Sequence, residues 1–222
     1  MLGHERTLRL SEMEMSEAEC SRFQRLCERM GIAERVVSLA WHSLWLGYTE
    51  SHRHYHNWEH IGSMLAALDC VSGIDESRGR DRIEMAVWFH DVVYDPKSST
   101  NEADSAALFR QLLGAELDTV DVAAIERLIL ATDPRRDRGD AEDEKILVDI
   151  DLLVLASDPS CYCAYADAIR KEYVHVPEDA FVKGRLEVLE RILQKPIFMT
   201  EHFAKREEKA RANLEDEIET LS

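Results

Sequence analysis

The chain has 222 residues, 45% hydrophobic and 32% charged, enough apolar side chains to fill one core of medium size. Its 27 Lys and Arg stand against 44 Asp and Glu, a net charge of −17; such a surface repels polyphosphate, so no nucleic-acid partner is expected. No window approaches the roughly 18 consecutive apolar residues of a membrane span, and the N-terminal stretch MLGHERTLRLSEMEMSE has no apolar signal core. A cytoplasmic protein with no membrane partner is expected.

The hydrophobic periodicity is helical throughout and predicts helices at about 16–30, 32–49, 57–71, 80–93, 100–113, 118–131, 142–157, 159–173, 178–194 and 200–221. Breaks fall at SGIDESRGR, DPKSS, TDPRRDRGD, SDP and HVP, where Gly, Pro and Asp favour turns. Nothing alternates in the manner of a strand. The expectation is an all-α single domain spanning 1–222, a helical bundle with N-terminal helices (1–50), a polar-site core (51–157) and C-terminal helices (158–222). Cys20, Cys27, Cys70, Cys161 and Cys163 are odd in number and form no CxxC pair, so reduced thiols, mostly packing groups, are expected. The last stretch, EEKARANLEDEIETL, carries charged i,i+4 pairs and few large apolar residues, the pattern of an exposed outer helix.

Three segments place polar groups on apolar stripes. The first is HRHYHNWEHIGSML, with four of the nine histidines inside residues 52–60. Ile61, Met64, Leu65 and Leu68 follow at helical spacing with Asn57 as the N-cap, so His56 and His60 lie at the entrance of a core helix, whereas His52 and His54 read as solvated loop. In the second, DRIEMAVWFHDVVYDP, Ile83, Ala86 and Val87 mark the inner face, and adding four to the last two gives His90 and Asp91. A buried carboxylate is paired or holds a cation, because an isolated one costs several kcal/mol. In the third, EKILVDIDLLVLAS, Asp149 and Asp151 interrupt an apolar helix. Two residues apart is about 200° of helical rotation, so at most one of them faces a common site.

Two imidazoles and two carboxylates form a mixed N/O set suited to one divalent ion: Mn, Fe, Co, Ni or Zn, and Mg less readily. Such an ion with water-bearing positions performs hydrolysis. Asp95 and Glu102, just after His90 and Asp91, either tune the water or support a ligating His, or serve as ordinary capping and helix-entrance acids. Arg170 and Arg185 either contact a phosphate or pair with Glu172 and Glu187. His42, His175 and His202 read as structural or exposed.

The order H…HD…D among helices resembles the HD superfamily of metal-dependent phosphohydrolases. YHNWEH resembles the YHNxxH form of class I cyclic-nucleotide phosphodiesterases, and HDVVYDP resembles their HDVxHP segment. The rest of the chain, through TNEADSA, DIDLLVLAS, AIRKEYVHVPEDAFVKGRLEVLERIL and ARANLEDEI, resembles a bacterial group of predicted phosphohydrolases of that superfamily. The resemblance covers about three-quarters of the sequence. It implies that His60, His90, Asp91 and Asp151 hold the metal, with Asp149 as the fallback for Asp151, and that His56 is the general acid. Histidines are missing between Asp91 and Asp151, which disfavours an HD-type oxygenase or a His-rich dinuclear centre. The expectation is hydrolysis of a small phosphorylated substrate, with a nucleotide among the candidates. The competing reading is a metal-binding regulatory or ligand-binding module without turnover. Exposed helices leave room for a homodimer.

Overall fold

The computed structural model describes residues 17–74 and 78–222. Among these, all regular structure is helical: α1 (17–30), α2 (Glu34–Tyr48), α3 (Trp58–Asp69), α4 (Gly79–Phe89), α5 (Asn101–Leu113), α6 (Thr119–Ala131), α7 (Glu142–Asp151), α8 (Pro159–Glu172), α9 (Glu178–Leu193) and α10 (Glu207–Leu221), with 3₁₀ turns at Leu152–Ala156 and Ala204–Arg206. Residue 16 of the first expected helix lies outside the described residues. No described helix is long and apolar enough to cross a membrane.

Local chemistry explains where the elements start and stop. The Asn57 side chain accepts the Glu59 N–H at 2.9 Å and caps α3, while Asp118 caps α6 through Val120 and Asp121. Pro159 opens α8, where no amide donor is needed. Gly31, at φ +77°, ends α1 in the left-handed conformation that only Gly adopts without strain.

α4 is the central element. Ile83, Met85, Ala86, Val87, Trp88 and Phe89 are all buried, so its apolar surface runs around the helix instead of along the one face expected. It packs against α3, α5, α6 and α7. Trp88 also joins an aromatic cluster with Phe23, Trp41 and Trp58. Between α1, α3 and α4, Arg22, Arg29 and Arg80 pair with Asp69, Asp81 and Glu84; this ion-pair network lines a surface depression and lies apart from the histidines.

Several expectations change. The 80–93 helix stops at Phe89, so His90 sits at the C-cap and Asp91 in the turn beyond it. The 142–157 helix becomes α7 followed by a 3₁₀ turn, and the final α-helix begins at Glu207. α10 is not wholly an outer helix: Ala210, Asn213 and Leu214 are buried, and the Asn213 amide donates to the carbonyls of Leu155 and Ser157. Of the cysteines only Cys27 is buried. Cys70, Cys161 and Cys163 are exposed, so the thiols are not mostly packing groups.

Candidate metal centre

Helix ends bring the polar groups together. His60 lies in the first turn of α3, His90 and Asp91 follow the last turn of α4, and Asp151 closes α7. His60 Nε2 stands 3.2 Å from His90 Nε2 and 3.3 Å from Asp151 Oδ1. Asp91 Oδ2 is 3.0 Å from His90 Nε2 and 3.8 Å from His60 Nε2, and Asp151 Oδ1 is 3.8 Å from His90 Nε2. Donors held about 2.1 Å from one cation lie roughly 3.0 Å apart at octahedral right angles and about 3.4 Å apart at tetrahedral ones. The spacing of the His60, His90 and Asp91 atoms is therefore of the order that donors around one ion take, with Asp151 set against the two imidazoles from another side. Among the described residues, His60, His90 and Asp91 form the one cluster dense enough to hold an ion, and Asp151 joins it through the same two imidazoles.

The protonation pattern favours a cation at that point. His90 Nδ1 donates to the Val87 carbonyl at 3.0 Å, which leaves Nε2 as the ligand face of the neutral ring. Burial opposes charge on His90, yet the adjoining Asp91 carboxylate pushes it up to about 9. His60 moves the other way, because burial outweighs the Asp151 carboxylate. Against the effect of burial, the charge of His90 draws Asp91 well below the carboxylate range. Two carboxylates facing two buried imidazoles thus stabilise positive charge between them. A divalent ion fits this donor set, and a proton on His90 supplies part of the same charge.

His56 stands beside the cluster, its ring centroid 6.0 Å from that of His60 and 4.2 Å from that of Tyr94. Its Nδ1 meets Glu172 Oε2 at 2.7 Å. The same carboxylate accepts the N–H groups of His54, Tyr55 and His56 at 2.7, 2.7 and 3.0 Å, and the Tyr94 hydroxyl at 2.8 Å. Burial alone would raise the Glu172 carboxyl, but these bonds and the His56 charge bring it down to about 2. His56 is raised: burial disfavours its charged form, and the Glu172, Asp91 and Asp151 carboxylates more than compensate. Arg53, 6% exposed, ties the segment down from the other side, donating to Glu50 and to the carbonyls of His56, Asp91 and Val92.

The remaining sequence candidates lie elsewhere. Asp149 accepts from the Met199 N–H, the Thr200 N–H and the Thr200 hydroxyl at 2.7–3.0 Å, anchoring the segment before α10 away from the imidazoles. Asp95 caps its own turn through Lys97 N–H, and Glu102 in the first turn of α5 meets Arg135. Arg170 pairs with Glu178 and Arg185 with Glu217, not with Glu172 and Glu187. His42, His54 and His175 are exposed, and exposed His52 meets the Tyr94 carbonyl at 2.9 Å. His202 is half-buried against Phe203.

Sequence reasoning missed Glu172 and Arg53. Glu172 did carry a signal, since Tyr162, Ile169 and Glu172 recur at i, i+7 and i+10 on the buried stripe of α8. Arg53 lies in a loop, where no periodicity marks a buried residue. No family model, curated protein or solved structure matches the chain.

Proposed function

We propose that this protein is a metal-dependent phosphohydrolase of the HD-domain type, acting on a small phosphorylated compound. The observation that carries the reading is the cluster of His60, His90 and Asp91, with Asp151 against both imidazoles and the His56 ring beside them. These four residues would hold one divalent ion of the Mn, Fe, Co, Ni, Zn or Mg class. Bound there, such an ion supplies an acidified water and offsets negative charge on a phosphoryl oxygen.

The chain's own groups supply the proton. With Nδ1–H on Glu172, His56 carries its second proton at Nε2, and passes it to the ester oxygen as the phosphorus–oxygen bond breaks. Water adds its oxygen to phosphorus and gives up one proton to solvent, which replaces the proton that His56 passed on. A positioned acid of this kind contributes typically about 10²–10⁴-fold. Glu172 holds the imidazole in the tautomer and charge state that this role requires, and the three amides on its other oxygen fix the loop. A module that only binds a metal has no need of this second, buried acid–base pair, so the pair favours turnover.

The test is the metal content of the purified protein beside His60→Ala and Asp151→Ala, followed by a phosphatase and phosphodiesterase screen of the metal-loaded sample. About one ion per chain in the wild type, lost in both variants, is expected, with phosphate release that His56→Ala reduces at least about 10²-fold while retaining metal. A wild type that takes up none of these metals refutes the reading. One that binds metal stoichiometrically and releases no phosphate from any ester refutes the enzyme and leaves the binding module.

A further inference from the structure

Tyr55 belongs to the histidine segment, yet the mechanism above leaves it unused. Its ring is wedged between those of His60, Tyr165 and His56, with centroids 4.7, 4.7 and 5.0 Å away. Its backbone N–H is taken by Glu172, whereas its hydroxyl makes no hydrogen bond among the described residues. Nor is that oxygen sealed in. The buried polar side-chain atoms without partners among the described residues are on Trp58, Trp88 and Ser157, so the hydroxyl of half-buried Tyr55 keeps some exposed surface. A phenol immobilised by three rings, with its polar end unpartnered beside a cluster of metal-ligating side chains, is placed to meet a ligand.

Tyr165, on α8, continues the row. Arg185 Nη1 approaches its hydroxyl oxygen at 3.5 Å, and the guanidinium lies over its ring, 5.4 Å from the centroid. With its oxygen accepting from Arg185, the Tyr165 hydroxyl has its own proton free to donate. Arg185 cannot swing away: it is 9% exposed and donates through Nε and Nη2 to Glu217 at 2.7 and 3.0 Å. Glu217 also balances its charge. The row therefore offers two O–H donors on a rigid base, with little net charge of its own. An acceptor-only oxygen group is the matching ligand chemistry. Because Asp91 and Asp151 repel an anion, the match extends to a phosphoryl group only when a cation sits between them.

We propose that Tyr55 and Tyr165, the latter backed by Arg185, are substrate-binding residues whose hydroxyls donate to the phosphoryl oxygens of a ligand seated against His60. The proposal deepens the phosphohydrolase reading and rests on it. Inorganic phosphate is titrated calorimetrically into Mn-loaded protein freed of excess metal, for wild type, Tyr55→Phe and Tyr165→Phe, with metal content and circular dichroism recorded for each. Both substitutions keep the ring and remove only the oxygen. The expected result is native helicity and metal content in all three, with phosphate bound about 10- to 100-fold more weakly by each variant, the effect of losing one hydrogen bond to a charged group. Unchanged affinity in Tyr55→Phe overturns the proposal and leaves the parent reading standing. Metal loss in Tyr55→Phe also overturns it, by making Tyr55 a support for His60. A metal-loaded wild type that binds no phosphate overturns the proposal, while the parent reading is decided by the phosphatase screen.

Discussion

Glu172→Gln is the most informative single change. The glutamine keeps one oxygen for the three loop amides but turns an NH₂ toward His56 Nδ1 and the Tyr94 hydroxyl, where the carboxylate accepts. A carboxyl held at about 2 in the folded protein, against an ordinary 4.5, is worth roughly 3 kcal/mol of native stability. Breaking a buried charge pair by altering one partner costs about the same, 3–5 kcal/mol. For a chain of this size a loss of 3 kcal/mol lowers Tm by roughly 6–12 °C. The pH dependence follows from the directions of the two shifts. The Glu172 share is complete above about 4.5 and disappears as pH falls toward 2. The His56 share is complete below 6.5 and disappears as pH rises through its raised folded value. The difference between wild type and variant is therefore greatest between these limits. Urea unfolding followed by circular dichroism, from pH 3 to 8, measures it. A difference below about 0.5 kcal/mol at pH 5.5, or one that does not shrink on acidification below 4.5, refutes the account of Glu172.

Three further outcomes are expected. Asp149→Ala strands two backbone amides and the Thr200 hydroxyl, so it destabilises by about 2–4 kcal/mol in urea while leaving metal content unchanged, the reverse of Asp151→Ala. Arg53→Ala removes the donor shared by three carbonyls around the site; it lowers stability by about 3–5 kcal/mol and weakens metal binding about 10–100-fold, read by denaturation and metal titration. Gly47→Ala sets a Cβ 2.5 Å from the Val92 carbonyl oxygen, where α2 passes over the turn after Asp91, and a loss of about 1–3 kcal/mol in chemical denaturation is expected.

The helical elements were legible because apolar residues recur at helical spacing and the breaks carry Gly, Pro and Asp. The Asn57 cap and the start of α3 follow directly from such local chemistry. Where the sequence misled, the cause was tertiary. α4 is enclosed by four neighbouring helices, so its periodicity marked no single face, and extending it by one more turn put Asp91 on a helix that ends at Phe89. Charged i,i+4 pairs marked α10 as an outer helix, but Asn213 turns inward to cap carbonyls that only folding brings near.

The sequence by itself determined the polar residues on apolar stripes: His60, His90, Asp91 and the Asp149–Asp151 pair stand out because burying such groups without partners is costly. It also determined that the two aspartates point apart, since the helical angle between them is local geometry. Tertiary structure decided which of them faces the imidazoles, by setting the Met199–Thr200 segment against Asp149 and the first turn of α3 against Asp151. It alone joined Glu172 to His56, across 116 residues. Periodicity records which residues turn inward, while the partner each one meets depends on how the helices pack.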